Sequence, residues 1–467
     1  MQAKLPSKLD GSFQYNVSGN ENLTTFEDVD GDLSQLVTYW GDDRRAKVSI
    51  RRFPEGEWSK EVDVSDALGC NTVDGDSHNN ITIGIDTLGY IYVAGDHHVD
   101  PLYMCKSDAP YTIHSGFSNV NRSLLGTKDT DRVTYPEFFY HGDDLCFSYR
   151  EQDHTRISGK TAPLFIWYLK KLDVRTGKWS EMAQINTSDW VRMYVSNIAM
   201  GPSGLHLCGL WRDEKNGGGP DKQQDLFHIM SMNGTDWTYI DGTHAELPFA
   251  YYHNSKSGSQ TQLIWDTSKG DPKPFNMLSI TVDDSGMPHM IIPDRQKKYY
   301  YIRRNEKNTE WVTTPIKNVK SDRTMEVTTF DGDIFTVSNF RDDVTMTQLM
   351  SDGSVGKSHK ISSGVTNSRT KMVVDRRAEY YGYLSCFLTK TNERRPANNI
   401  KIEPEYGYVS SHRFGKKIKA EVKPSPQLPP KINVPTVEEV DTITLSKSDI
   451  DKISQLLSDI ENIIKPS

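Results

Sequence analysis

"ITIGIDTLGYIYVAGDHHVD", Ile81–Asp100, holds two short runs of alternating character joined at Asp86–Gly89. A period of two reads as a strand with one buried face. The Asp and Gly between the runs supply a tight hairpin, because Gly takes positive φ without steric cost. The signal recurs in "YHGDDLCF" (140–147), "GPSGLHLC" (201–208), "DDSGMPHM" (283–290) and "FDGDIFTV" (330–337). Several units close on a turn followed by Trp: "PEGEWS", "RTGKWS", "NGTDWT" and "KNTEWV". Trp58, Trp179, Trp237 and Trp311 should each wedge between neighbouring sheets. Counting units gives about seven before residue 420, roughly sixty residues apiece with insertions, somewhat above the spacing of a four-stranded propeller blade. The expected fold is all-β: a seven-bladed β-propeller with a short C-terminal helical tail. Radial stacking buries both faces of each sheet and leaves only short edges. An array of β-sandwiches would need several domains and clearer linkers.

One linker is clear, and it sets the expected domains. Residues 1–422 form the propeller. Residues 423–445, opening "KPSPQLPPKINVPTVEEV", are Pro-rich and extended. Residues 446–467 carry Ile450, Ile453, Leu457, Ile460 and Ile464 at heptad spacing, with Ser446 or Ser448 as N-cap and Asp449 and Asp451 at the positive end. So short a helix is marginal alone and should pack on other copies of itself, on a virion partner or on its own propeller.

The chain has 467 residues and a net charge of −8, so no global field favours nucleic acid, and no apolar run is long enough to span a bilayer. Five scattered cysteines argue against a disulfide framework or zinc knuckle, and buried free thiols are expected. The opening "MQAKLPSKLDGSFQY" has no apolar signal region. The expectation is a virion- or tail-associated protein, or one extracellular after release, and otherwise a cytoplasmic one.

A propeller gathers functional groups from several blades around one mouth. Polar residues that interrupt strand alternation are therefore the candidates. The second unit offers His78, Asn79, His97 and His98; the third, Tyr135 and Arg150; the fourth, Arg192, Tyr194, Trp211 and Arg212. Any one of them alone reads as packing or surface; the combination on consecutive units reads as a site. Three imidazoles can ligate zinc, but His97 and His98 project to opposite faces of a strand, so a metal site is not predicted. A structural metal ion is compatible with this reading, and no cofactor is required. His, Tyr and Arg together suit β-elimination from a uronic acid. Arg neutralises the carboxylate, and His and Tyr divide the roles of base and acid. Hydrolysis would instead want paired carboxylates, and none stands out as a spaced pair. A sialidase would need an arginine triad with a Tyr–Glu pair, and "SMNGTDWTY" is a degenerate Asp-box of the BNR type.

The blocks "DGDSHNNITIGIDTLGYIYVAGDHHVDPLYMCKS", "YPEF" followed by "FSYRE", "MYVSNI" and "LHLCGLWRDE" together resemble the seven-bladed propeller polysaccharide lyases that act on ulvan, which carry BNR-type repeats. The likeness covers roughly residues 20–320. It implies that His78 and His98 stand at the family's two active-site histidines and Tyr135 and Tyr194 at its tyrosines. It places Arg150 at the arginine that neutralises the uronate, with His78 or His98 as base and a tyrosine as acid. Asn79, His97, Arg192, Trp211 and Arg212 would line the substrate site. The segment "EQDHTRISGKTAP" after Arg150 is longer and more charged than the family's pattern, and the family's Cys/His metal cluster has no counterpart. The expected partner is an acidic polysaccharide, ulvan-like or capsular, with a phage-tail depolymerase as the natural setting. The rivals are a non-catalytic carbohydrate- or receptor-binding propeller and a sialidase-type hydrolase.

Overall fold

The hairpins form where the turn chemistry places them. Gly89, Gly142, Gly204, Gly286 and Gly332 all take positive φ. At Gly89 a Cβ would also sit 2.4 Å from the Tyr111 ring. Asp residues lock these turns from the side chain. Asp86 Oδ1 accepts from the amides of Leu88 and Tyr90, each at 2.9 Å. Asp283 does the same for Ser285 and Met287, and Asp294 for Gln296 and Lys298.

The computed structural model describes residues 2–9, 21–70, 79–128, 131–153, 164–189, 191–213, 223–252, 262–265, 273–275, 278–321, 325–340, 343–363, 372–389 and 405–414. The chain divides into Met1–Val422 and Lys423–Ser467. The second of these units, where the linker and the heptad helix are expected, lies outside the described residues. Among the described residues no helix is long and apolar enough to cross a membrane.

Met1–Val422 is a seven-bladed β-propeller. Its strands form seven sheets that follow chain order. The inner strands of blades one to six are Leu23–Glu27, Ile81–Ile85, Val133–His141, Val191–Val195, Ser279–Val282 and Met325–Phe330. Blade seven joins the two ends of this unit. Met372–Val374, Tyr383–Thr389 and Glu405–Arg413 are completed by the N-terminal strand Gln2–Leu9, antiparallel to Glu405–Arg413. The ring therefore closes through backbone hydrogen bonds between residues some four hundred positions apart.

Seven apolar cores fill the seven blade interfaces. Trp58 lies in the core between blades seven and one, Trp179 between two and three, and Trp237 between three and four. Trp311 packs against the core between blades four and five and is only half-buried. All five cysteines are free and buried.

Between its first and second strands blade seven carries a single-turn helix, Arg376–Tyr380, capped by Asp375. Its side chains tie the inner strands together. Asp375 accepts from Thr25 of blade one at 2.6 Å. Arg376 donates to the Val327 carbonyl and Glu326 of blade six and to Ser279 of blade five. Arg377 lies over the Tyr140 ring of blade three, and Tyr380 donates to the Met200 carbonyl of blade four. A polar helix turn thus plugs one half of the central channel, and Arg376 is paired there with Glu326 and Glu379.

Candidate active site between blades three and four

The inner strand of blade three is irregular where the site lies. Its register with Asp144–Asp153 shifts between Thr134 and Glu137, and Tyr135 in that bulge takes φ 60°. A bulky residue in the left-handed region is strained, and such strain concentrates at functional sites. Asp96 (φ 61°) and Val99 (φ 70°) share it. Asp96 precedes, and Val99 lies within, the strip that leaves blade two and joins the sheet of blade three: His98–Asp100 pairs with the start of Val133–His141, and His98 stands opposite Thr134. The Val99 amide donates to Thr134 Oγ1 at 3.3 Å. This strained backbone pairs His98 with Thr134, the residue before Tyr135.

Tyr135 faces a cluster of cations and rings. Arg150, 4% exposed, comes from the second strand of blade three. Its guanidinium carbon lies 4.7 Å from the centre of the Tyr135 ring and 5.2 Å from that of Tyr194. The two tyrosine rings are 6.0 Å apart. Arg212 covers Tyr194 at 4.2 Å, and Arg192 covers Phe165 at 4.4 Å. Arg192 and Arg212 stand directly opposite on paired strands of blade four. Like charges so placed repel, and an anion between them would relieve the repulsion. The Tyr194 hydroxyl is buried and has no hydrogen-bond partner among the described residues. Burial pushes the Tyr135 phenol up to about 12, helped by Tyr194 and opposed by Arg150, Arg212 and Arg192. At neutral pH Tyr135 is a proton donor.

Five candidates thus converge: Tyr135, Arg150, Arg192, Tyr194 and Arg212; His98 is placed only by its strand pairing with Thr134. His78 lies outside the described residues. Asn79 follows it directly and is buried, its carbonyl accepting from Trp40 Nε1 at 2.9 Å. Two candidates serve packing instead of joining this cluster. His97 is fully buried and stacked on Tyr103, and its Nε2 accepts the Tyr103 amide at 2.6 Å. Burial, with Arg122 nearby, lowers it to about 3, so it stays neutral. Trp211 is buried in the core between blades three and four, opposite Met193. Strand alternation that presents Arg212 to the cluster turns Trp211 away from it. Phe165 and Trp167 were not among the candidates. Phe165 underlies both Arg150 and Arg192, and Trp167 stacks on Tyr135 at 6.3 Å. Their alternation in "LFIWYLKKLD" reads as ordinary core. Among the described residues no group of three or more His, Cys, Asp or Glu side chains is placed to hold a metal ion.

The model of the BNR repeat-containing family matches residues 34–319. None of the curated proteins matches the chain. Among solved structures the chain is similar to an ulvan lyase from a new family of polysaccharide lyases. The TM-score is 0.58 at 13% identity, over 89% of this chain and 96% of that one. The same lyase bound to a glucuronic acid–rhamnose-3-sulfate repeat gives a TM-score of 0.57 at 13% identity, over the same shares. A fucose-specific lectin from Aleuria aurantia is a weaker likeness, with a TM-score of 0.36 at 11% identity over 76% of this chain and 98% of the lectin.

Proposed function

The chain belongs to the BNR repeat-containing family, and from that premise we propose that it is a polysaccharide lyase cleaving a uronic-acid-containing polymer by β-elimination. One observation carries the reading: a buried guanidinium, Arg150, held between the rings of Tyr135 and Tyr194. The fold it shares with an ulvan lyase supports the same assignment.

The reaction has three demands. The proton next to a carboxylate is weakly acidic until the carboxylate's charge is neutralised. Arg150, with Arg192 and Arg212 behind it, supplies that field without being deprotonated itself. A base then takes the proton, and His98 or His78 has the chemistry for it. The electron pair left on that carbon forms the double bond as the glycosidic C–O bond on the neighbouring carbon breaks. The leaving oxygen needs a proton, and Tyr135, protonated throughout the physiological range, donates it. No nucleophile enters the scheme. The polymer would be ulvan-like or capsular.

The test is to incubate the protein with ulvan, other uronate polymers and bacterial capsules while following ultraviolet absorbance of the unsaturated product. A folded protein with no signal across that panel overturns the proposal. The arginine cluster favours one second reading, a sialidase-type hydrolase that grips its carboxylate with Arg150, Arg192 and Arg212. That enzyme would release a saturated product with no absorbance change.

A further inference from the structure

A second cleft opens between blades four and five. It encloses about 350 Å³, near the lower end of cavities that hold small ligands. No residue of the Tyr135 cluster lines it. His228, on strand Gln223–Ser231, forms part of its wall, and the Trp311 ring meets the imidazole edge-on at 5.3 Å. His228 is 2% exposed, and its Nδ1 has no hydrogen-bond partner among the described residues.

The proton positions behind His228 follow from which atoms can donate. The Gly286 carbonyl only accepts, so Ser203 Oγ donates to it across 2.6 Å. Ser203 Oγ therefore accepts from His206 Nε2 at 2.7 Å. His206 Nδ1 is left as an acceptor, and His228 Nε2 donates to it across 2.9 Å. A neutral imidazole protonated at Nε2 carries a lone pair at Nδ1. Burial, with His206 and Arg304 adding to it, keeps His228 neutral. The wall of the cleft thus contains a buried acceptor that lacks its donor, a costly state unless a ligand or water completes it.

The rest of the cleft narrows the choice of donor. Arg304 lies 5.1 Å over the Trp311 ring and is fixed by the Oδ1 and carbonyl of Asn308. Asp241 and Gln262 meet at the exposed rim, Nε2 to Oδ2 at 3.3 Å, and Glu310 stands exposed beside them. Two carboxylates against one guanidinium disfavour an anion. An ammonium group only donates, whereas the cleft offers donors in Arg304 and Gln262 as well as acceptors. Hydroxyl groups do both, and the half-buried Trp311 offers apolar surface beside them.

We propose that this cleft is a binding site for one neutral monosaccharide unit, which donates a hydroxyl to His228 Nδ1 and packs its apolar side on Trp311. The site is independent of the β-elimination chemistry and would hold whichever neutral sugar the polymer or its carrier presents.

Saturation-transfer NMR on the full chain tests it. The probes are methyl glycosides of neutral hexoses, 6-deoxyhexoses and pentoses, with methyl glucuronide and methyl glucosaminide as charged controls. At least one neutral glycoside should bind the wild type and the Arg150→Ala variant equally. Its affinity should fall at least tenfold in Asp241→Ala/Gln262→Ala, whose exposed positions spare the core; circular dichroism checks the fold, and Glu310→Ala replaces the pair if it unfolds. The proposal is overturned if no neutral glycoside binds, if binding survives the cleft substitutions, or if it disappears with Arg150. It is equally overturned if glucuronide or glucosaminide occupies the cleft of Arg150→Ala as tightly as the neutral sugars.

Discussion

The role of Tyr135 can be decided by pH. Its phenol is pushed up to about 12. At pH 8 a phenol of that strength is ionised to roughly one part in ten thousand, so using it as a base would add about 5 kcal/mol to the barrier. Used as an acid it carries no such cost. If Tyr135 protonates the leaving oxygen, the rate on a uronate polymer should be flat between pH 8 and 10. If Tyr135 were the base, the rate would climb tenfold per pH unit over the same range. Tyr135→Phe keeps the ring that Arg150 and Trp167 pack against, so binding should persist. Turnover should drop by about 10²–10⁴, the usual worth of a positioned proton donor, or ~3–5 kcal/mol. Initial rates from the absorbance of the unsaturated product, paired with calorimetric binding to the uncleaved polymer, give both quantities. A tenfold rise per pH unit, or a Phe variant retaining more than a tenth of wild-type turnover, refutes the assignment.

Arg150→Met should lower kcat/KM by about 10²–10³ through loss of the charge that meets the carboxylate, with the circular dichroism spectrum unchanged; wild-type kinetics would remove Arg150 from the mechanism. His97 and His206 are both held at about 3 by burial, below an ordinary 6.5. Their stabilisation is complete above pH 6.5 and is lost as pH falls towards 3, at about 1.4 kcal/mol per pH unit for each. Urea midpoints measured at pH 7, 6, 5 and 4 should therefore decline steeply, and a level series contradicts the buried neutral state. Deleting residues 1–9 exposes the blade-seven edge and removes the buried Leu5 and Leu9. The two leucines alone are worth about 3–6 kcal/mol, a large share of a total of about 5–15, and thermal unfolding should show a matching loss.

The propeller was legible because its turns are local: a Gly, in most cases with an Asp a few residues away, determines each hairpin. Its closure was not. Gln2–Leu9 contains Pro6, tolerable on an outer edge at the irregularity between Lys4 and Lys8, and its partner lies at the other end of the unit. The helix Arg376–Tyr380 is too short to produce a period. Tyr135, Arg150, Arg192, Tyr194 and Arg212 were found because polar residues inside strands stand out. His97 and Trp211 show the limit of that signal. The sequence displays an imidazole or an indole but not whether its surroundings are Tyr103 and Met193 or open solvent. The second cleft escaped notice because His228 and Asp241 of one unit and Arg304 of the next share no common spacing.

The helix at Arg376–Tyr380 has a consequence for traffic along the axis. It meets blade three at Tyr140, five residues beyond Tyr135 on the same strand, or roughly 15 Å. If the chain is the lyase proposed above, a long glycan reaching Tyr135 would meet a dead end and not a tunnel. On that reading it would lie across the opening and leave the way it came, with no terminus threaded through the axis.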